Sequence, residues 1–230
     1  MSEFDVKRLK SVTVITGHYG VGKTNLAINL ALDARYAGLE VRVADLDVVN
    51  PYFRSSDYRC LLEDAGVQVI APRYAGTTLD APAISGQVSA ALDWARGERG
   101  RLLIVDAGGD DAGATALGRF AGGIAEGDYG LLYVVNRSRN LTHDAHEALS
   151  VLREIEAASH LHATAVANNT HLADFTDGEV LLRGVGFAQE VAALAGLPLA
   201  FSAVPRRMLE DADILGVRYP VSVYVRKPWE

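Results

Sequence analysis

The sequence predicts one doubly wound α/β domain over residues 1–230, with a mostly parallel sheet of about seven or eight strands and helices on both faces. Three observations predict this fold. Short apolar runs alternate with helical patterns along the chain. The runs are apolar at successive positions, as in strands buried on both faces. The length of 230 residues, 49% of them hydrophobic, suits a single core.

The apolar runs are predicted to form the central strands. In chain order they cover residues 12–15, 41–44, 67–70, 102–105, 131–135, 163–167 and 199–204. The alternating stretch 218–227 is typical of a further strand. Helical patterns lie between them at residues 25–36, 56–65, 85–96, 112–125, 142–158, 177–195 and 206–215. Because ligands bind beyond the carboxyl ends of strands in such sheets, the polar residues that follow each strand are the candidate site.

The stretch between the first strand and the first helix carries the strongest functional signal. Residues 17–24 fit the phosphate-binding pattern G-x-x-x-x-G-K-S/T at every fixed position, although a glycine-rich structural turn is the alternative. Glycines let the loop take positive φ, so that backbone N–H groups and the helix N-terminus can surround an anion. Lys23 would lie between the outer phosphates, and the Thr24 hydroxyl would bind Mg²⁺. The candidate nucleotide-binding residues here are Gly17, His18, Tyr19, Gly20, Val21, Gly22, Lys23, Thr24 and Asn25.

Carboxylates follow two of the predicted strands. Asp106 ends the run 102–105 in the usual form of a Walker B strand, whose carboxylate would hold Mg²⁺ through a water; capping the next helix is the alternative. Asp45 and Asp47 could bind metal-bound waters or orient the attacking water, or hydrogen-bond their own backbone. The candidate metal ligands are therefore Thr24, Asp45 and Asp106, and the candidate catalytic residues are Lys23 and Asp47.

A pair of glycines follows Asp106. Gly108 and Gly109 would permit a mobile loop that senses the γ-phosphate of a nucleotide. Asp110 and Asp111 directly precede the next helical pattern, so an N-cap role competes with a catalytic one.

These motifs together resemble the MinD/ParA division of P-loop ATPases, which also includes CobQ/CobB-type and nitrogenase iron-protein-type domains. The resemblance rests on residues 17–24, on the Asp-x-Asp segment at Asp45 and on the Asp-x-x-Gly at Asp106. It covers nearly the whole chain in element order. It implies a SIMIBI-type P-loop fold, Mg-ATP binding, slow hydrolysis, and nucleotide-dependent dimerisation or binding of a protein partner.

The resemblance also assigns roles by position at the phosphate end of the site. Lys23 and Thr24 match the residues that bind the phosphates and Mg²⁺. Asp47 matches the switch I carboxylate that positions water, and Asp106 matches the Walker B carboxylate.

At the base end, the family's base-contacting asparagine follows the sixth strand, which points to Asn168 or Asn169. Pro205 matches a segment that lies against the adenine. The pair Asn136 and Arg137 imitates the family's Asn-Arg base motif but follows the fifth strand, so we interpret it as a coincidence. The guanine-reading pattern N/T-K-x-D follows none of the strands, which favours ATP over GTP.

One position departs from the family pattern. Many members carry a signature lysine, five residues before the P-loop lysine, that reaches the partner's phosphates across a dimer; here that position is His18. A histidine is shorter than a lysine and mostly neutral near pH 7, which puts a charge supplied across the dimer in question. The alternative interpretation is that His18 is a loop residue that faces solvent. Tyr19 could stack on a base, but packing is the favoured role.

Composition argues against several classes of function. The net charge of −7 disfavours non-specific binding to nucleic acid. Cys60 is the only cysteine, which excludes an intrachain disulfide and a cysteine metal cluster. Residues 1–10 lack the apolar core of a secretory signal, and no apolar run reaches the length of a membrane span, so we expect a soluble cytoplasmic protein.

The leading hypothesis is a weak ATPase that acts as a nucleotide-dependent switch, with ATP and Mg²⁺ as cofactors. A CobQ/CobB-type or dethiobiotin synthetase-type enzyme that phosphorylates a carboxylate is one alternative, and a metallocentre or corrinoid-protein maturation ATPase is another. Weaker candidates for chemistry are the pair His143 and His146, for which a solvated helix face is favoured. Surface roles are likewise favoured over an arginine finger for Arg137, Arg139, Arg206 and Arg207.

Overall fold

The computed structural model describes residues 2–47, 55–71, 81–138, 144–171, 176–210 and 214–225. These residues form one sheet with helices on both faces. The strands are β1 (Ser2–Glu3), β2 (Val12–Thr16), β3 (Glu40–Leu46), β4 (Gln68–Ile70), β5 (Arg101–Ala107), β6 (Tyr129–Val135), β7 (Ala165–Asn168), β8 (Leu199–Pro205) and β9 (Val217–Val221). The helices are α1 (Lys23–Tyr36), α2 (Arg59–Asp64), α3 (Ala81–Gly97), α4 (Asp111–Gly118), α5 (Ala121–Ala125), α6 (Ala145–Ser159) and α7 (Gly178–Ala195).

The nine strands are ordered β1-β9-β8-β7-β6-β2-β5-β3-β4, and every pairing in the described part of the chain is parallel. This confirms the doubly wound α/β fold. Strands β3, β4 and β5 lie on one side of β2, and strands β6, β7, β8 and β9 lie on the other side. Strand β2 therefore lies at the topological switch point, between β5 and β6. Ligands bind at the carboxyl ends of the strands at such a point.

The sheet has one strand more than the sequence predicted. The additional strand β1 has two residues, Ser2–Glu3, and pairs with β9 at the edge of the sheet. Two residues are too short to show a hydrophobic period, so no pattern could predict them. The predicted C-terminal strand 218–227 is also shorter, since β9 ends at Val221.

Two predicted helices differ in the structure. The predicted helix 112–125 is divided into α4 and α5, which meet at residues 119–120. Gly118, Gly122 and Gly123 surround this break, and glycine is a weak helix former. Of the predicted helix 206–215, the described residues form only the 3-10 turn Arg206–Met208.

Separate hydrophobic cores cover the two faces of the sheet. Val14 and Val105 point into a core that α3, α4, α5, α6 and α7 cover. Ile15 and Ile104, their neighbours in sequence, point into a core that α1 and α2 cover. The central strands are therefore buried on both faces, as their unbroken apolar runs predicted. None of the described helices combines the length and the hydropathy that crossing a membrane requires.

Candidate functional site

The loop of residues 17–24 lies at the carboxyl end of β2 and uses its glycines as the sequence predicted. Gly17, Gly20 and Gly22 have φ values of 150°, 78° and 89°, which a side chain would strain. A Cβ on Gly17 would also lie 2.3 Å from the Val134 carbonyl oxygen. Gly22 is the N-cap of α1, so the first amides of this helix open directly onto the loop.

Lys23, the first residue of α1, is folded back over this loop. Its side chain is buried, and Nζ donates a hydrogen bond to the backbone oxygen of His18 at 3.2 Å. Burial lowers the pKa of Lys23, while the carboxylates of Asp47, Asp106 and Asp110 act in the opposite direction. The buried Lys23 ammonium therefore has one backbone carbonyl as its hydrogen-bond partner and a group of carboxylates around it.

Parallel pairing of β3 with β5 brings the predicted acidic residues together. Asp45 lies opposite Asp106 in the register of these strands, and Ile15 of β2 lies on the other side of Asp106. Asp45, Asp47 and Asp106 are all buried. The Asp47 amide donates to Asp45 Oδ1 at 3.2 Å, so the backbone bond that the sequence left as an alternative is present.

The glycines after β5 pack against the phosphate loop. A Cβ on Gly109 would lie 1.9 Å from the Gly17 carbonyl oxygen, and one on Gly113 would lie 2.5 Å from the Cα of Gly108. The sequence suggested only mobility for this pair of glycines, and it gave no sign of so close a contact. Asp110 accepts a hydrogen bond from the Gly113 amide at 2.8 Å and is the N-cap of α4.

The two candidate base-reading asparagines have different surroundings. Asn168 donates from Nδ2 to Ser202 Oγ at 3.0 Å and accepts from the Thr170 amide at 3.0 Å, so both ends of its side chain are engaged. Asn169 donates from Nδ2 to the backbone oxygens of Val21 at 2.8 Å and Gly22 at 3.3 Å. Its Oδ1 is buried and has no hydrogen-bond partner among the described residues.

The other sequence candidates lie in several places. Asn25 is buried in the first turn of α1, with its side chain directed to residues 222–225. Pro205 ends β8 opposite Val221 of β9. Tyr19 is 47% exposed, and the Nδ1 of its half-buried neighbour His18 lies 3.4 Å from the Tyr19 carbonyl oxygen.

The arginines considered as fingers mostly have structural contacts. Arg206 forms an ion pair with Asp33, with Nη2 lying 2.9 Å from Oδ1. Arg207 donates to the backbone oxygen of Thr176 at 3.1 Å, and the guanidinium of Arg137 stands 5.9 Å from the ring centre of Phe187. Arg139 and His143 lie outside the described residues.

The donor set beside the loop suits Mg²⁺. Thr24, Asp45 and Asp106 offer hydroxyl and carboxylate oxygens, which are the hard ligands that this ion prefers, and all three residues are buried. Mg²⁺ keeps several waters and takes only one or two carboxylates. Over the described ranges there is no cluster of three or more His, Cys, Asp or Glu side chains that could hold a metal by themselves.

Sequence reasoning named Asn25 as a nucleotide-binding candidate but missed that it begins a row of polar residues on α1. Asn25, Asn29 and Asp33 are spaced four residues apart in a helix whose other residues are largely apolar and buried. Such a spacing places them on one face, and this was the signal that could have identified them.

Solved structures with the same fold include a signal recognition particle protein and two FtsY proteins. The signal recognition particle 54 kDa protein from Aeropyrum pernix K1, in complex with GDP, matches with a TM-score of 0.59 and 19% identity over 85% of this chain and 41% of that one. The signal recognition particle receptor FtsY from Elizabethkingia anophelis, in complex with GDP, matches with a TM-score of 0.52 and 18% identity over 84% and 56%. The cell division protein FtsY from Thermotoga maritima matches with a TM-score of 0.55 and 18% identity over 89% and 64%.

At these identities the likeness shows the fold alone. This chain spans between 41% and 64% of the length of these three structures. No family model matches the chain, and no curated protein does. The nine-stranded parallel sheet of this chain, with the glycine loop of residues 17–24 after the strand at the switch point, is a doubly wound α/β fold, which these structures share.

Proposed function

We propose that this protein binds Mg-ATP and acts as a nucleotide-dependent switch of the MinD/ParA type with weak ATPase activity. The observation that carries the proposal is Lys23. Its buried ammonium lies over the loop of residues 17–24 and is flanked by Asp47 and Asp106, beside the first amides of α1. A buried cation beside the N-terminal backbone N–H groups of a helix is the arrangement that binds a polyphosphate.

Each group at the phosphate end has a distinct part in this proposal. The loop amides and Lys23 bind the phosphates, and Thr24 and Asp106, with Asp45 nearby, would hold Mg²⁺. When bound, the ion would neutralise charge on the outer phosphates. Asp47 orients the water whose oxygen attacks the γ-phosphorus, while the bond to the β,γ-bridging oxygen breaks and ADP leaves. Water positioning and charge stabilisation supply most of the acceleration in phosphoryl transfer.

At the base end, the surroundings favour Asn169 over Asn168. The Asn168 amide is already engaged by Ser202 and Thr170, whereas Asn169 keeps a buried Oδ1 that could accept from the adenine amino group. Guanine nucleotides are the competing ligand, because two of the structural neighbours are complexes with GDP.

Replacement of Lys23 tests the proposal. Titration calorimetry with ATP, ADP and GTP in the presence of Mg²⁺ should show tight binding to the wild type, with ATP preferred, and none to Lys23→Ala. The matched control is Lys10→Ala, which removes the same charge from an exposed ion pair with Asp128. Tight binding of ATP by Lys23→Ala, or no binding by the wild type, would exclude the assignment. A preference for GTP would correct the base.

A further inference from the structure

Helix α1 connects the phosphate loop to the C-terminal part of the chain. Its polar row, Asn25, Asn29 and Asp33, lies on one face. Asn25 and Asn29 are 7% and 1% exposed. Burying a side-chain amide costs free energy unless its oxygen and its nitrogen are both hydrogen-bonded. The hydrogen-bond partners of these asparagines therefore indicate the role of the polar row. Those partners include residues 222–225, which follow β9 and are called here the C-terminal strap.

The two asparagines hold the backbone of the C-terminal strap. Asn29 accepts from the Ser222 amide at 2.8 Å and donates to the Ser222 carbonyl oxygen at 2.8 Å. Asn25 accepts from the amides of Tyr224 at 2.8 Å and Val225 at 3.2 Å, and it donates to the Ser222 carbonyl oxygen at 3.0 Å. The strap lies beyond the end of β9. The side chains of Asn25 and Asn29 supply the hydrogen bonds to its backbone that a neighbouring strand would supply within the sheet.

The third member of the row extends this attachment to the strand itself. Asp33 accepts from the hydroxyl of the buried Tyr219 in β9 at 2.9 Å and pairs with Arg206 after β8. Burial and the Asp33 carboxylate raise the pKa of Tyr219, so its hydroxyl keeps the proton that it donates. All three polar residues on this face of α1 therefore bind the last strands or the strap.

The strap reaches the phosphate loop through adjacent residues. Asn25 directly follows Thr24 in the first turn of α1, and the Leu26 amide closes this turn on the Gly22 carbonyl oxygen at 3.1 Å. Asn29 is bonded to the same turn, since its Nδ2 donates to the Asn25 carbonyl oxygen at 2.7 Å. The groups that hold the strap therefore also fix the turn that carries the candidate Mg²⁺ and phosphate ligands.

We infer that the C-terminal strap and the phosphate loop are coupled through Asn25 and Asn29, so that nucleotide binding tightens the strap and the attached strap strengthens nucleotide binding. This inference rests on the proposed function. Asn29 is a positioning residue, because it touches the first turn of α1 and not the ligand. Coupling between two sites is reciprocal: the factor by which the strap raises nucleotide affinity equals the factor by which nucleotide stabilises the attached strap.

The test measures both sides of this coupling on the full chain. Amide hydrogen exchange followed by NMR should show slower exchange of Tyr224 and Val225 when the Mg²⁺ complex of a non-hydrolysable ATP analogue is added. Asn29→Ala should weaken binding of the analogue by about five-fold or more and remove this nucleotide-dependent protection. Tyr224→Pro, which removes a strap amide without altering α1, should have the same two effects if Asn29→Ala does not fold.

The control is Leu152→Ala, which truncates a buried side chain of α6 on the other face of the sheet. It should lower the melting temperature and leave both analogue affinity and strap protection unchanged. Equal exchange of the strap amides with and without the analogue, in a wild type that binds it, would overturn the coupling alone. A wild type that binds no nucleotide would overturn both the coupling and the proposed function.

Discussion

At the residue scale, Lys23 is where the charges of the site meet. Burial lowers the pKa of its ammonium group, and the carboxylates of Asp47, Asp106 and Asp110 act to raise this pKa. Its only described hydrogen bond is to the backbone of its own loop, at His18. Phosphate oxygens are stronger partners for an ammonium than a carbonyl oxygen is, because they carry charge. We therefore expect phosphate oxygens to replace the His18 carbonyl oxygen as the partner of this ammonium.

This arrangement predicts a pH dependence of nucleotide affinity. The pKa of Lys23 is lowered in the nucleotide-free protein, and bound phosphates would raise it. Between these two pKa values, binding must take up a proton, so affinity should be constant below the lowered pKa and should fall as pH rises from that pKa towards the raised one. Calorimetry in buffers of different ionisation enthalpy would measure this proton uptake. An affinity that stays constant into strong alkali would show that the ammonium does not contact the phosphates.

Asp47 carries a second prediction at this scale. Asp47→Ala should bind ATP but hydrolyse it at least about a hundredfold more slowly, because it lacks the carboxylate that we propose orients the attacking water. Single-turnover hydrolysis and calorimetry separate the two effects. The control is Asp93→Ala, which removes an exposed carboxylate from α3. An unchanged rate in Asp47→Ala would remove this residue from the proposed mechanism.

At the element scale, the site is built where three strands end. Register places Ile15, Asp106 and Asp45 side by side on β2, β5 and β3. The segment after β5 then returns across the phosphate loop, with Gly109 in contact with Gly17. A parallel sheet brings these ends together because its strands all run in one direction, whereas Ile15 and Asp106 are about ninety residues apart along the chain.

The contact between these two loops predicts the effect of one methyl group. Gly109→Ala should lower the free energy of unfolding by about 1–3 kcal/mol and weaken nucleotide binding, because its Cβ would lie 1.9 Å from a backbone oxygen that cannot move aside cheaply. Gly86→Ala is the matched control. Its Cβ meets nothing within 4 Å in helix α3, so it should stabilise the protein by about 0.5–1 kcal/mol. Thermal unfolding with and without ATP measures both; equal, small effects would contradict the packing argument.

At the scale of the whole molecule, the question is whether nucleotide changes the association state. His18 stands where the MinD/ParA division that the sequence resembles carries its signature lysine, and Tyr19 beside it is 47% exposed. An imidazole is shorter than a lysine side chain and cannot reach as far across an interface. Dimer formation would therefore depend on the exposed surface around the loop more than on a charge supplied in trans.

Sedimentation with ADP, ATP and a non-hydrolysable ATP analogue tests this picture. We expect a dimer with the analogue and a monomer with ADP. A nucleotide can shift the monomer–dimer equilibrium only if it binds the two association states with different affinity, and a switch requires that ATP and ADP differ in this preference. His18→Lys should restore the trans-acting charge and move the equilibrium further toward the dimer. A monomer under all three conditions would exclude the dimer switch.

The sequence alone determined the class of fold and the phosphate loop. Unbroken apolar runs identify strands buried on both faces, and the pattern of residues 17–24 identifies the loop, because both signals are local. The strand β1 and the break between α4 and α5 were missed, since two residues and a glycine-rich helix end carry little periodic information.

Only the tertiary structure decided which distant residues share the site. It distinguished Asn168, whose side-chain amide is hydrogen-bonded at both its nitrogen and its oxygen, from Asn169, whose buried Oδ1 has no partner among the described residues. It also showed that Gly109 packs so closely against Gly17 that a side chain would not fit. It also gave Asn25 and Asn29 their partners in the C-terminal strap, almost two hundred residues along the chain. Hydrogen bonds and close contacts of this kind depend on positions in space, and a sequence pattern reports only what lies within a few residues.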